Sequence, residues 1–271
     1  MCADLRNKKG LTLIELLVAL TISSILIAGI YRTFIGQQKT YTVQEQVVDV
    51  QQNLRAVTNK MIREIRMAGF GNVSDVSPVN GFPQVITMTP SDITIVGAFK
   101  QIRDASGNPI TIVSTNANQI TLSAATSALN GDLNKYLSIG GIGSYTVTNQ
   151  PTGTTNVLTL DRTPKNAVGA YLYKVQAVTY AVGYTDGKPV LQRNGNDGTG
   201  PEDLAGNIES LQFEYLDKDG NVTAIAGNVR RIRLTVTAKT ETIDPDLQGG
   251  DGYRRRTISS SIQLRNLGWT L

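Results

Sequence analysis

The sequence predicts an α+β protein: one long N-terminal helix, apolar all round in its first half and amphipathic in its second, packed on an antiparallel β-sheet head with an inserted β-rich subdomain. Three observations predict it. Apolar residues run from Leu11 to Ile30 with one charged interruption, Glu15, and no proline occurs before Pro78. Beyond the apolar run the hydrophobic residues recur every three or four positions as far as Ala68. From Asn72 onward the period falls to two, with turn-forming residues between the alternating segments.

The first ten residues form a short basic leader with Arg6, Lys8 and Lys9 against Asp4, ending at Gly10. A helix over Leu11–Ile30 spans about 30 Å, the thickness of a bilayer's hydrocarbon core. A secretory signal has an apolar region of only about 7–15 residues and a small-residue cleavage site. This run is longer and passes into Ile30-Tyr31-Arg32 without such a site. A carboxylate in a membrane span costs about 2.5–3.5 kcal/mol on insertion scales and marks function. A plain anchor leaves Glu15 unexplained, and nothing downstream is large enough to wrap this run as a core helix.

The polar stretch Gly36-Gln37-Gln38-Lys39-Thr40-Tyr41 divides a membrane or filament-core helix (11–36) from an amphipathic half (37–69). In the latter Val47, Val50, Leu54, Val57, Met61, Ile65 and Ala68 make one stripe, the pattern of a helix with a single buried face. Glu45, Asp49, Arg55, Lys60, Arg63 and Glu64 fall on the opposite, solvated face. Gly69 and Gly71 end the helix. Leu11–Ala68 as continuous helix is about 87 Å long.

The remainder, 70–271, reads as the β-rich head. Candidate strands are Gln84–Met88, Asp92–Ala98, Ile110–Val113, Gln119–Leu122, Tyr136–Ile139, Ser144–Thr148, Asn156–Leu160, Tyr171–Tyr184, Pro189–Arg193, Ile208–Leu216, Val229–Ala238 and Arg256–Leu264. Alternation is clearest in Arg231–Thr237. Asn130-Gly131-Asp132, Thr185-Asp186-Gly187, Asn194-Gly195-Asn196 and Lys218-Asp219-Gly220-Asn221 are the turns. Residues 81–162, rich in Thr, Ser and Asn and nearly free of charge, are the expected insert.

Composition narrows the function. There is no histidine, and the only cysteine is Cys2 in the leader. Ser-His-Asp and Cys-His catalysis are excluded, as is a disulfide in a chain that starts at Leu11. Only carboxylate- or lysine-based catalysis stays formally open, and the reading is a non-enzyme without cofactor. Without its leader the chain has 23 basic and 21 acidic residues, a net charge of +2. That is no argument for a nucleic-acid partner.

A basic leader, Gly10, apolar Leu11, three further residues and then Glu15 inside a membrane-length segment resemble the N-terminus of a type IV prepilin. The resemblance implies that a prepilin peptidase cuts between Gly10 and Leu11 and methylates Leu11, where the family usually has Phe. Glu15 of one subunit would then pair with the freed ammonium of a neighbour. Gln37–Thr42, Gln51–Ala56, Arg63–Gly69, Val178–Val182, Asn207–Tyr215, Arg231–Leu234 and Leu264–Asn266 are similar to the PilW family of minor pilins. The C-terminal part is also similar to the J-type minor pseudopilin of type II secretion. These resemblances imply the type IV pilin fold and a structural role: priming pilus assembly with other minor pilins and the major pilin, near the fibre tip. They imply the prepilin peptidase and the inner-membrane assembly machinery as partners. The chain would cross the bacterial inner membrane once, N-terminus cytoplasmic and head periplasmic, before entering the pilus. A tip protein that binds a ligand, as adhesin or DNA-uptake receptor with the insert as its surface, is the reading of a different class.

Other constellations are weaker. Asp217, Asp219 and Asn221 have the oxygen spacing that opens some calcium loops, but no glutamate follows where an EF-hand needs one. A hairpin turn is the better reading. Asp197–Asp203, and Asp244-Pro245-Asp246 with Asp251, read as solvated acidic loops, and Arg254-Arg255-Arg256 as a solvated strand edge. Gly140-Gly141-Ile142-Gly143 precedes no helix pattern and is no phosphate loop.

Overall fold

The computed structural model describes residues 12–125, 135–149, 156–244, 246–247 and 249–267. The Gly10–Leu11 junction and the turn expected at Asn130-Gly131-Asp132 lie outside them. The chain divides into two compact units, Met1–Asp49 and Val50–Leu271.

Within the first unit, helix α1 (Leu13–Arg66) runs from Leu13 to the boundary at Asp49, and no described side chain is buried. Leu13, Leu17, Leu20, Ile25 and Ile30 are among its exposed apolar residues. The hydroxyls of Thr21, Ser24, Thr33, Thr40 and Thr42 donate back to carbonyls one turn earlier, at 2.7–3.1 Å. Such back-bonding leaves the hydroxyl needing no water.

In the second unit α1 buries Val50, Leu54, Val57, Met61 and Ile65, the stripe expected from the sequence. Helical bonding tightens at its end, where Met67 and Ala68 donate to the carbonyls three residues back. Gly69 then takes a left-handed φ of 78°, and its N–H donates to Val96 O at 2.8 Å. Asn266 returns from the chain's far end, and its amide donates to Ala68 O at 3.3 Å. A side chain at Gly69 would meet Asn266 O at 3.1 Å, so both the dihedral and the space call for glycine.

Thirteen strands follow among the described residues, and every pairing is antiparallel. The largest sheet centres on β8 (Leu172–Thr185). On one side β8 pairs with β2 (Ile93–Gln101), which pairs with β1 (Ile86–Met88). On the other it pairs first with β5 (Tyr136–Ile139), which pairs with β6 (Gly143–Thr146), then with β9 (Lys188–Asn194), which pairs with β10 (Pro201–Gly206). A second sheet has the order β11 (Ile208–Leu216), β12 (Arg231–Lys239), β13 (Arg255–Gln263). A third joins β3 (Ile112–Asn116), β4 (Gln119–Leu122) and β7 (Val157–Thr159). The α1 stripe, the first sheet and the second share one core, with Met61, Ile65, Ile93, Tyr180, Leu211, Leu234 and Ile262 fully or nearly fully enclosed. The third sheet and β5–β6 enclose another around Ile112, Ile120, Leu137 and Leu158.

The structure departs from the sequence reading in three places. β10 occupies a stretch read as the end of a solvated acidic loop; it is an edge strand that begins with Pro201, where a missing N–H costs nothing. The separate sheet is confined to Ile112–Thr159, whereas β1 and β2, placed in the insert by the sequence, pair within the main sheet. Glu64, assigned to the solvated face of α1, is only 19% exposed. It accepts a hydrogen bond from the buried Tyr180 hydroxyl at 2.8 Å and from Arg193 Nε at 3.1 Å, joining α1 to β8 and β9.

Burial, then the Glu64 carboxylate, push the Tyr180 phenol well above its ordinary value. A raised pKa contributes stability that is complete below the unfolded phenol value, near 10, and is lost as pH rises toward the folded one. Tyr180→Phe removes a hydrogen bond to a charged group and should cost about 1.5–3 kcal/mol. In denaturant titrations the loss should be full at pH 7 and shrink above about pH 10. A fragment beginning at Lys39, which omits the exposed apolar run, should be soluble, monomeric and folded without detergent by light scattering and circular dichroism.

Candidate functional site

At the start of α1, Thr12 and Glu15 form a reciprocal cap. Thr12 N–H donates to Glu15 Oε2 at 2.9 Å, Thr12 Oγ1 donates to the same oxygen at 2.9 Å, and Glu15 N–H donates to Thr12 Oγ1 at 3.3 Å. This is the capping-box arrangement, which satisfies helix N–H groups that have no partner one turn earlier. One carboxylate oxygen is thereby occupied inside its own chain. Among the described residues Oε1 accepts no hydrogen bond and is available to a partner. Sequence reasoning placed Glu15 but missed Thr12; the Thr-x-x-Glu spacing was its signal. Gly10 and Leu11 lie outside the described residues.

The calcium candidates resolve into a turn. Asp217 Oδ1 accepts from the N–H groups of Asp219 and Asn221, both at 2.9 Å, and Asp217 N–H donates to Asn221 O at 2.9 Å. Asp104-Ala105-Ser106-Gly107-Asn108 builds the same turn. There Asp104 Oδ1 accepts from Ser106 N–H at 2.9 Å and Asn108 N–H at 2.7 Å, and Asp104 N–H donates to Asn108 O at 2.9 Å. The second acid of the motif is therefore dispensable to the geometry. Among the described residues no group of three His, Cys, Asp or Glu side chains could hold a metal.

The basic cluster and the acidic loop before it neutralise each other. Arg254 Nε donates to Asp244 Oδ2 at 2.6 Å; Arg255 donates to both oxygens of Glu209 and both of Asp251 at 2.6–2.8 Å. Two of the three arginines are thus ion-paired within the head, while Arg255 and Arg256 remain exposed, in keeping with a solvated edge. Arg255 holds Asp251 and Glu209 below the ordinary carboxylate range. For Asp244 the larger cause is the Asp246 N–H, then Arg254.

Carboxylates depressed in this way stabilise the fold above their unfolded values, about 4, and the contribution is lost as pH falls through the folded ones. Arg255→Ala should therefore be less stable than the unsubstituted protein at pH 7. The two denaturation curves should converge as pH drops below about 4. Asp219→Ser should leave its turn intact, as Ser106 does in the twin, whereas Asp217→Ala should destabilise it; amide hydrogen exchange at Asp219 and Asn221 separates the two.

Comparison with known proteins bears on the N-terminus. Residues 5–31 match the prokaryotic N-terminal methylation motif. The matched segment contains the Gly10–Leu11 junction, the Thr12–Glu15 cap and the exposed apolar run, so the prepilin-like N-terminus foreseen from the sequence is a matched motif. No curated protein matches the chain. Among solved structures it is similar to a type IV-like pilin from Thermus thermophilus, at 10% identity and a TM-score of 0.31, over 80% of this chain and 98% of that one. The fold is α+β, with one long N-terminal helix and antiparallel sheets. That helix is long and apolar enough to cross a membrane.

Proposed function

We propose that this chain is a minor pilin of the PilW type, a structural subunit that primes type IV pilus assembly with other minor pilins and takes a place at the fibre tip. The carrying observation is the coincidence of the methylation motif with an apolar helical segment of which no side chain is buried. A prepilin peptidase cuts after Gly10 and methylates Leu11. The chain first sits in the inner membrane with its leader cytoplasmic, held there by Arg6, Lys8 and Lys9. The head, residues 70–271, is then periplasmic.

The cap geometry supports a specific contact. Thr12 satisfies Glu15 Oε2, which lowers the cost of carrying the carboxylate in an apolar medium. Oε1 receives the ammonium of Leu11 from an adjacent subunit. That charge exists only after cleavage, so processing and assembly are coupled.

Glu15→Leu should insert and be processed normally, since the span becomes more apolar and the cut lies at Gly10, yet fail to enter the priming complex or pilus. Gly10→Val should block cleavage itself. Pilus number per cell and co-purification of other pilins are to be counted for each variant in a strain lacking the native copy. Normal piliation and co-purification with Glu15→Leu would refute the contact.

A further inference from the structure

An edge strand offers unpaired main-chain groups to any other strand, and folded proteins blunt their edges with shortness, proline, bulges, charge or covering segments. Among the described residues the edges of the three sheets carry such devices, with one exception. β1 and β7 have three residues each and β6 has four. β10 begins with Pro201, and its register shifts between Asp203 and Ala205. β3 shifts between Ile112 and Ser114. β11 shifts between Ile208 and Ser210, and its Phe213 N–H donates to Pro90 O at 2.9 Å. β13 has β12 on one side and no described strand on the other. It is nine residues long, runs without proline or register shift, and carries charge only at Arg255 and Arg256.

The ladder fixes which groups face the open side. Leu264 N–H donates to Arg230 O at 3.0 Å, and Thr240 N–H donates to Arg254 O at 2.9 Å. Even-numbered residues of β13 therefore exchange bonds with β12. Alternation turns the N–H and C=O of Thr257, Ser259, Ser261 and Gln263 to the open side. Those four N–H groups bond nothing among the described residues. Side chains alternate as well. Ile258 and Ile262 turn to the core. The hydroxyls of Thr257 and Ser259 bond Thr237 and Thr235 on the outer face, at 3.0 and 2.9 Å. Arg256 shares the face of Ile258 but is exposed, and no ion pair among the described residues uses it.

We propose that β13 takes up an extended segment of another protein chain, antiparallel, as a fourth strand of this sheet. The segment's side chains opposite Ile258, Ser260 and Ile262 are apolar and extend the edge of the core. The one opposite Arg256 is acidic. A second copy of β13 does not meet that description, because the strand contains no acid. The register that sets Ile258 against Ile262 of a second copy also sets Arg255 against Arg265, where like charges repel. Strand addition of this kind takes its affinity from main-chain bonds and its specificity from alternate side chains. The edge lies wholly in the second unit and does not depend on the N-terminal motif, so its failure would leave the pilin reading as it stands.

The probe is a fluorescent octapeptide, Thr-Val-Thr-Val-Thr-Val-Thr-Glu, which sets its valines opposite the inward residues and its glutamate opposite Arg256. With the full chain in detergent, its anisotropy should rise to saturation. N-methylation of the threonines, whose N–H groups face β13 in this register, should abolish binding. N-methylation of the valines, whose N–H groups face away, should leave it unchanged. Lysine in place of the glutamate should weaken binding about fivefold, the order of an exposed ion pair. Arg256→Gln should remove that difference. Ser259→Pro deletes an outward N–H without touching the β12 ladder, so the variant should stay folded by circular dichroism and lose the peptide. The two methylated peptides decide the matter even where the proline variant does not fold. Absence of saturable binding, equal binding of the methylated peptides, equal binding of the glutamate and lysine peptides, or undiminished binding by folded Ser259→Pro overturns the proposal.

Discussion

The constraint on which the rest depends is that, among the described residues, the first half of α1 has no buried side chain. Leu13 is 82% exposed and Ile30 69%, and the apolar residues between them face outward on every side. At about 25 cal/mol per Å² of apolar surface, leaving such a helix in water costs many kcal/mol. On the proposed reading, lipid or neighbouring helices supply the burial. The polar groups of the segment agree with that demand, since Thr12 and Glu15 cap one another and Thr21 and Ser24 bond to their own backbone. Among the described residues the second oxygen of Glu15 accepts no hydrogen bond, and the proposed assembly contact would fill it.

The second half of the helix obeys the opposite rule. From Val50 its apolar stripe is covered by its own sheets, and even its polar face contributes, through Glu64 to Tyr180 and Arg193. The end of α1 is fixed by residues almost two hundred positions later, where Asn266 bonds the last carbonyls and Gly69 leaves room for it. Removing that contact would leave a helix carbonyl without its partner at a partly buried junction.

Much of this was legible in the sequence because it rests on period and sign. The stripe from Val50 to Ile65 and strands such as β4, β5 and β11 are one-dimensional patterns that survive folding unchanged. β10 was hidden because Pro201, Glu202 and Asp203 carry loop chemistry, and only pairing with β9 makes them a strand. Glu64 was misread because helical spacing cannot report a tyrosine and an arginine arriving from distant strands. The second Asp-x-x-Gly-Asn turn, at Asp104–Asn108, is legible in the sequence and explains Asp217 better than any calcium loop.

The central claim is that Gly10–Leu11 divides a removable leader from a helix meant for an apolar surrounding. The direct measurement is intact-mass and N-terminal analysis of the protein extracted from its native membrane. The account requires a chain beginning at Leu11 with one added methyl group on its α-nitrogen. A chain retaining Met1–Gly10, or one cut near Tyr31 and freed of the apolar segment, would contradict it.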